Sequence, residues 1–311
     1  MTMPKEHEQQ LPVDESRLGD DLPDLVRIKQ GKTMDELLHF SILNIDKPSG
    51  PTSYRTGERV QEAIGAEKMA HFGTLDPKVT GVLPVALNRA CKLTRWFLHK
   101  EKTYVGVMRV HEDVSDETLD QHMRDFVGVI EQVPPVRSSV KREAREREVY
   151  SWERLGRDGR DVHFRARVEA GTYIRKLIHD MGERIGGAHM LKLRRTRAGI
   201  FAEDQPSLRS PARIERAAED YANGDERFLR EALIPGEAIG YIMPVLRVSA
   251  NRLEQLLNGS PLYVEDTGGP VDHPAGTDVA VFADGRFVEV ARTVDNEEEE
   301  RMVAKPEFVF T

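Results

Sequence analysis

Asp76 stands in the stretch HFGTLDPKVTGVLPV, residues 71–85, with Gly73 and Thr74 before it and Pro77 and Gly81 after it. An acid in such a loop has two ordinary uses. Beside proline and glycine, an aspartate most often caps a backbone N–H of its own turn. A catalytic carboxylate instead needs rigidity, close backbone approach to a ligand and a charge partner. Pro77 supplies the first, and Gly73 and Gly81 the second. Local residues alone favour the cap. Arg175, in AGTYIRKL at 170–177, falls in the first turn of a predicted helix, where the dipole disfavours a cation, and so points to a carboxylate partner. A guanidinium stays charged and can grip a carboxylate through two bonds. Tyr104 is either strand packing or a platform for a stacked base. His71 is either a satisfied loop histidine or a wedge against a nucleic acid. Arg194 and Arg195, in the acid-free HMLKLRRTRAG at 189–199, are either solvated or phosphate contacts.

Other chemistries lack their residues. His111-Glu112 begins an HExxH string, but position 115 is Ser. The acids at 112–120 lack the central glycine of a calcium loop. There is no GxxxxGK[ST] loop. No metal and no cofactor is therefore expected. The single cysteine, Cys91, cannot form an intrachain disulfide, and the polar N-terminal stretch lacks the apolar core of a secretory signal. No run of apolar residues reaches the roughly 20 that a membrane span needs. The expectation is a cytoplasmic protein. Net charge is −8, against a broad nucleic-acid footprint, yet residues 137–167 hold ten Lys/Arg against six Asp/Glu.

The elements that must position these residues follow from patterning. Residues 41–46 predict a strand, stopped by the rigid turn KPSGPTS at 47–53; an amphipathic helix spans 54–64. Residues 82–87 predict a buried strand, with Pro84 suggesting an edge or bulge. A short helix is expected over 92–99, an alternating strand over 103–111, and a helix capped by Ser115. Two strands, 145–155 and 161–170, flank the turn at 157–160. A helix over 173–185 should end at Gly186-Gly187. Residues 212–235 look helical. Beyond 245, one helix (250–257) and strands at 278–282, 286–292 and 307–310 form a small β-rich module.

The strings DKPSGPTS (46–53), HFGTLDPKVTGVLPV (71–85), KTY (102–104), GTYIRKLIHDMGERIGGAH (171–189) and LRRTRAG (193–199), in that order, closely resemble the TruB-type pseudouridine synthases. The LDPKVTG form and some 45 residues ahead of DKPSGPTS resemble the archaeal and eukaryotic H/ACA branch, the dyskerin family. The resemblance spans roughly residues 20–311 and is vaguest at the C-terminal end. It implies an α+β fold, the pseudouridine synthase fold with a mixed, mainly antiparallel sheet, followed by a PUA-like RNA-binding domain. It divides the chain into an N-terminal extension (1–38) packing on the PUA domain, a catalytic domain (39–240) and the PUA-like domain (241–311).

By the same resemblance Asp76 matches the essential aspartate, Arg175 its arginine partner and Tyr104 the aromatic that stacks on uracil. Leu193 matches an apolar residue of the uracil pocket and His71 the histidine preceding the catalytic loop. Lys47 and Pro48 belong to a motif supporting the active-site sheet; Lys47, Arg194 and Arg195 join the expected substrate-binding set. Phe72 departs from the small or polar residue of many relatives, and residues 264–278 are short and acidic for a PUA domain. The implied activity isomerises uridines in ribosomal RNA within an H/ACA guide ribonucleoprotein. Its implied partners are a guide RNA, small proteins and a kink-turn binder, with one copy of this chain per particle. The tRNA T loop is a further implied substrate. Alternatives are a stand-alone tRNA T-loop synthase, a non-catalytic RNA-binding scaffold for ribosome assembly, and a sugar hydrolase. The last lacks a second acid in an equivalent setting.

Overall fold

The structure, a computed structural model, describes residues 22–133, 143–269, 271–295 and 301–310. The start of the N-terminal extension and residues 137–142 of the basic stretch lie outside them.

Short polar residues open the helices by accepting the free N–H groups of the first turn. Asp24 caps α1 (Leu25–Gly31), and Thr33 with Glu36 forms a reciprocal capping box on α2 (Met34–His39). β1 (Ser41–Lys47) follows. Thr52 then caps α3 (Ser53–Ile64), which ends on Gly65 in the left-handed region. β2 (Met69–His71) and β3 (Thr80–Leu87) flank the Asp76 loop. The short helix expected over 92–99 is α4 (Thr94–Leu98), entered through a 3-10 turn, Asn88–Leu93. β4 (Lys102–Val110) and the Ser115-capped α5 (Asp116–Asp125) follow the predicted pattern. β5 (Gly128–Gln132), β6 (Arg145–Asp158) and β7 (Asp161–Val168) form a meander.

α6 (Ile174–Gly182) stops short of the predicted end. There the Gly187 N–H reaches back to the Gly182 carbonyl at 2.8 Å, so the glycine pair closes a turn into β8 (Ala188–Ala198). The two-residue strands β9 (Phe201–Ala202) and β10 (Leu208–Arg209) precede α7 (Pro211–Ala222) and α8 (Arg227–Ala232). The predicted helical stretch to 235 ends in β11 (Leu233–Pro235), which pairs with β1.

The large sheet runs β10-β1-β3-β8-β4-β7-β6-β5, with β11 on β1, β2 on β3 and β9 on β8. It is mixed: β1/β10 and β3/β8 are parallel and the other pairs antiparallel. Pro84 is not on an edge. β1 pairs along one side of β3, but on the other side β8 covers only Thr80–Gly81 and β2 only Val85–Leu87. In that gap the Val82 carbonyl takes the Arg195 Nε–H at 2.7 Å and the Pro84 carbonyl takes the Phe72 N–H at 2.9 Å. A residue without an N–H fits where strand pairing lapses.

The C-terminal module holds β12 (Val245–Val248), α9 (Leu253–Leu257), β13 (Leu262–Tyr263), β14 (Asp278–Ala283), β15 (Arg286–Thr293) and β16 (Met302–Val309). Its sheet runs β12-β14-β15-β16-β13, two strands more than the patterning indicated. An apolar cluster joins the two sheets: Phe40 stacks on Phe287 at 5.5 Å, and Phe72, Phe97 and Phe282 share the cluster. Trp96 Nε1 donates to Asp278 Oδ2 at 2.8 Å across the same seam. The described part of the extension packs chiefly on residues 230–241, where Tyr241 Oη donates to the Pro23 carbonyl at 3.1 Å and Lys32 pairs with Glu237 at 2.5 Å. Just after it in the chain, His39 and Phe40 lie against Phe310, which follows β16.

Candidate active site

The Asp76 loop is held from the DKPSGPTS turn. Lys47, fully buried at the end of β1, donates its ammonium to the carbonyls of Pro48, Pro77 and Val79 at 2.9, 3.0 and 2.9 Å. Ser53 Oγ accepts from the Leu75 N–H at 2.8 Å and donates to the Leu75 carbonyl at 3.1 Å. Gly50 N–H adds a bond to Pro77 O at 2.9 Å. Within the loop the Val79 N–H reaches the Asp76 carbonyl at 2.9 Å, a turn with proline in its preferred second place. Backbone therefore closes the turn, and the Asp76 side chain does not cap it. Its carboxylate meets the Arg175 guanidinium at the start of α6.

That ion pair has 53% of the Asp76 and 59% of the Arg175 side chain exposed. A pair so open to water adds little stability, and it is accessible to a ligand. Arg175 is fixed through its helix entry: Gln132, only 2% exposed, accepts from Tyr173 N–H at 2.9 Å and donates to Tyr173 O at 3.3 Å. Beside the pair lies an apolar wall in one buried cluster, with Leu75, Val79, Tyr104, Ile174 and Leu193. Tyr104 and Leu193 reach it from adjacent strands, Tyr104 opposite Arg195 and Leu193 opposite Gly106. The structure thus pairs Asp76 with Arg175 and puts Tyr104 and Leu193 in the buried cluster that holds Leu75 and Ile174, the chain neighbours of that pair.

Arg195 departs from its expected place. It is 1% exposed, and it donates to the Val82 carbonyl at 2.7 Å and the Gly73 carbonyl at 3.1 Å, so it makes no phosphate contact. Arg194 is half-buried between Asp46 (2.9 Å) and Glu203 (2.7 Å), which neutralise it. Lys47 is buried under the loop, out of a substrate's reach; burial pushes its pKa down, opposed by the Asp76 charge. His71 is half-buried on β2, and burial and then the Arg195 charge push its pKa down, which leaves it neutral at pH 7. The basic stretch is not a bare stripe. Arg154 pairs with Asp120 at 2.8 Å, Arg157 with Asp116 at 2.9 Å and Arg167 with Glu101 at 2.6 Å.

Phe72 has a structural account. Its ring is 1% exposed and stacks on Phe97 at 4.8 Å, with Phe201 at 6.0 Å. It anchors the entry to the loop on the core shared by the two sheets. Ser53 closes the DKPSGPTS string and Gln132 lies in none of the family-like strings, and neither residue reveals its partner. Their part depends on partners 22 and 41 residues away.

A carboxylate paired with arginine, beside a buried cluster that holds an aromatic and an aliphatic side chain, suits the handling of a base and its sugar. Known proteins agree. Residues 61–118 match the model of the TruB family pseudouridylate synthase N-terminal domain, and residues 175–239 that of the tRNA pseudouridylate synthase B C-terminal domain. A probable tRNA pseudouridine synthase B from Methanothermobacter thermautotrophicus is 41% identical over 249 residues, 79% of this chain and 76% of that one. Its counterpart from Pyrobaculum calidifontis is 40% identical over 277 residues, 87% and 82% of the two chains. Among solved structures, a chain of a Cbf5-Nop10-Gar1 complex superposes with a TM-score of 0.83 at 34% identity, covering 98% of this chain and 95% of that one. A chain of an H/ACA RNP bound to a substrate RNA containing 2′-deoxyuridine gives 0.81 at 31%, covering 100% and 97%. The chain belongs to the TruB-type pseudouridine synthases, on their dyskerin-like H/ACA side.

Proposed function

We propose that this chain is the catalytic subunit of an H/ACA guide ribonucleoprotein that isomerises chosen uridines of ribosomal RNA to pseudouridine, with Asp76 as the reacting acid. The half-exposed Asp76–Arg175 pair against the Tyr104–Leu193 wall carries the reading. In this assignment the target uridine leaves its stack at a cost of a few kcal/mol, and stacking on Tyr104 returns about 1–3 kcal/mol. Leu193 lines the other side of the base. Asp76 either attacks the anomeric carbon or removes the 2′ proton; both routes free the uracil, which turns and rejoins through carbon. Arg175 aims the carboxylate through its guanidinium. In the same assignment the Tyr104 hydroxyl helps move the proton from the uracil carbon as the product forms.

The architecture supports a division into an N-terminal extension, a catalytic domain ending near 240 and a PUA-like RNA-binding domain on the second sheet. Guide RNA would select the uridine by base pairing, and small proteins would complete the particle, as the Nop10 and Gar1 of the matching complex do there. The lone Cys91 supports work in the reducing cytoplasm; among the described residues no helix is long and apolar enough to cross a membrane. A second reading, T-loop modification of tRNA without a guide, is favoured by the naming of the archaeal relatives. Tritium release from uridine-labelled RNA separates the two. Guide-dependent release from a ribosomal target supports the first reading. Release from a tRNA transcript alone, with none from the guided target, supports the second.

A further inference from the structure

Arg195 is the largest fully buried side chain, and among the described residues no carboxylate pairs with it. A buried charge compensated only by dipoles is costly unless its geometry is well satisfied. Its guanidinium donates to Val82 O and Gly73 O, the two ends of the Asp76 loop. Tyr104 is its cross-strand neighbour on β4, where a bulge falls between Thr103 and Tyr104. The chain leaves room for it with glycine. Gly73 and Gly81 lie at φ +105° and +101°, and a Cβ at Gly81 would stand 2.2 Å from the Arg195 carbonyl.

We propose that Arg195 is a positioning residue, one rigid fork that holds both ends of the Asp76 loop against the strand that carries Tyr104, so that carboxylate and ring meet the same nucleotide. Only a guanidinium presents several donors in one plane; a lysine ammonium is a single point. The inference rests on the pseudouridine synthase reading and gives that reading a second tier.

The test is a double-mutant cycle of Arg195→Lys and Tyr104→Phe in the full chain with guide RNA and partner proteins, read as kcat and KM for RNA. R195K should lower kcat about tenfold or more with KM within about twofold, and should cost clearly less in the Y104F background, because the two residues are cross-strand neighbours. Unchanged kcat, a loss that appears in KM, or an equal loss in both backgrounds overturns the proposal. If R195K does not fold, Arg195→Gln, which keeps a planar donor, is read in the same cycle. No release from wild type would instead count against the enzymatic reading itself, which separates the two failures.

Discussion

Replacing Lys47 by Met tests how the Asp76 loop is held. Methionine keeps the length and apolar stem of the side chain and removes three donors. The Pro77 carbonyl retains the Gly50 N–H at 2.9 Å, so the carbonyls of Pro48 and Val79 are the two that lose their donor. Val79 is buried, and a buried carbonyl left without a donor costs about 1–3 kcal/mol before the relief of no longer burying a charge, whereas Pro48 is exposed and its carbonyl can turn to water. If about 2 kcal/mol of that is a displacement of the loop from its reactive position, turnover falls about 30-fold. Steady-state tritium release and a thermal melt read the two effects. The expected result is a lower Tm and lower kcat with KM for RNA little changed. A rise in KM with kcat intact would mean that Lys47 contacts substrate, and the account of the buried clamp would be wrong.

Other perturbations follow from the packing. Phe72→Ala should cost about 3–5 kcal/mol, since it opens a cavity under Phe97 and Phe201; a denaturant midpoint equal to wild type would refute the core role. Gly81→Ala should destabilise the fold, because its Cβ would press the Arg195 backbone at a left-handed φ. An unchanged melting temperature would remove the argument for close strand approach. Glu289, fully buried in β15, has its carboxyl pushed up from 4.5 to about 8 by burial. Between those values the folded state holds a proton that the unfolded chain has lost, so stability falls as pH rises, by up to about 1.4 kcal/mol per unit. Glu289→Gln should therefore gain on wild type steadily from pH 5 to pH 8; parallel melting curves would show that the carboxyl is already ionised.

What the sequence conveyed is uneven in a physical way. Segments with a strong period or a cap were legible: β4 by alternation, α3 by its stripe, α5 by Ser115, and the 145–168 hairpin by its turn. Ends were not. β11 is three apolar residues with no period of its own, and only β1 makes it a strand. β12 and β13 similarly exist through partners distant in the chain. Asp76 alone favoured a cap, because proline and glycine serve a turn in either case; what decides is Arg175, 99 residues on. Arg194 and Arg195 looked alike in an acid-free string, yet strand alternation sends Arg195 into the interior and leaves Arg194 to acids from β1 and the turn after β9. Phe72 looked anomalous until Phe97 and Phe201 were in place around it.

The central claim is that one carboxylate does the chemistry. Asp76→Asn keeps the side-chain shape and the backbone turn, and loss of a half-exposed ion pair should cost at most about 1 kcal/mol, so the variant stays folded. Tritium release from uridine-labelled RNA, with guide RNA and partner proteins present, is the direct measurement. The account predicts a normal melt, retained RNA binding and no release above background. Release at the wild-type rate would contradict it.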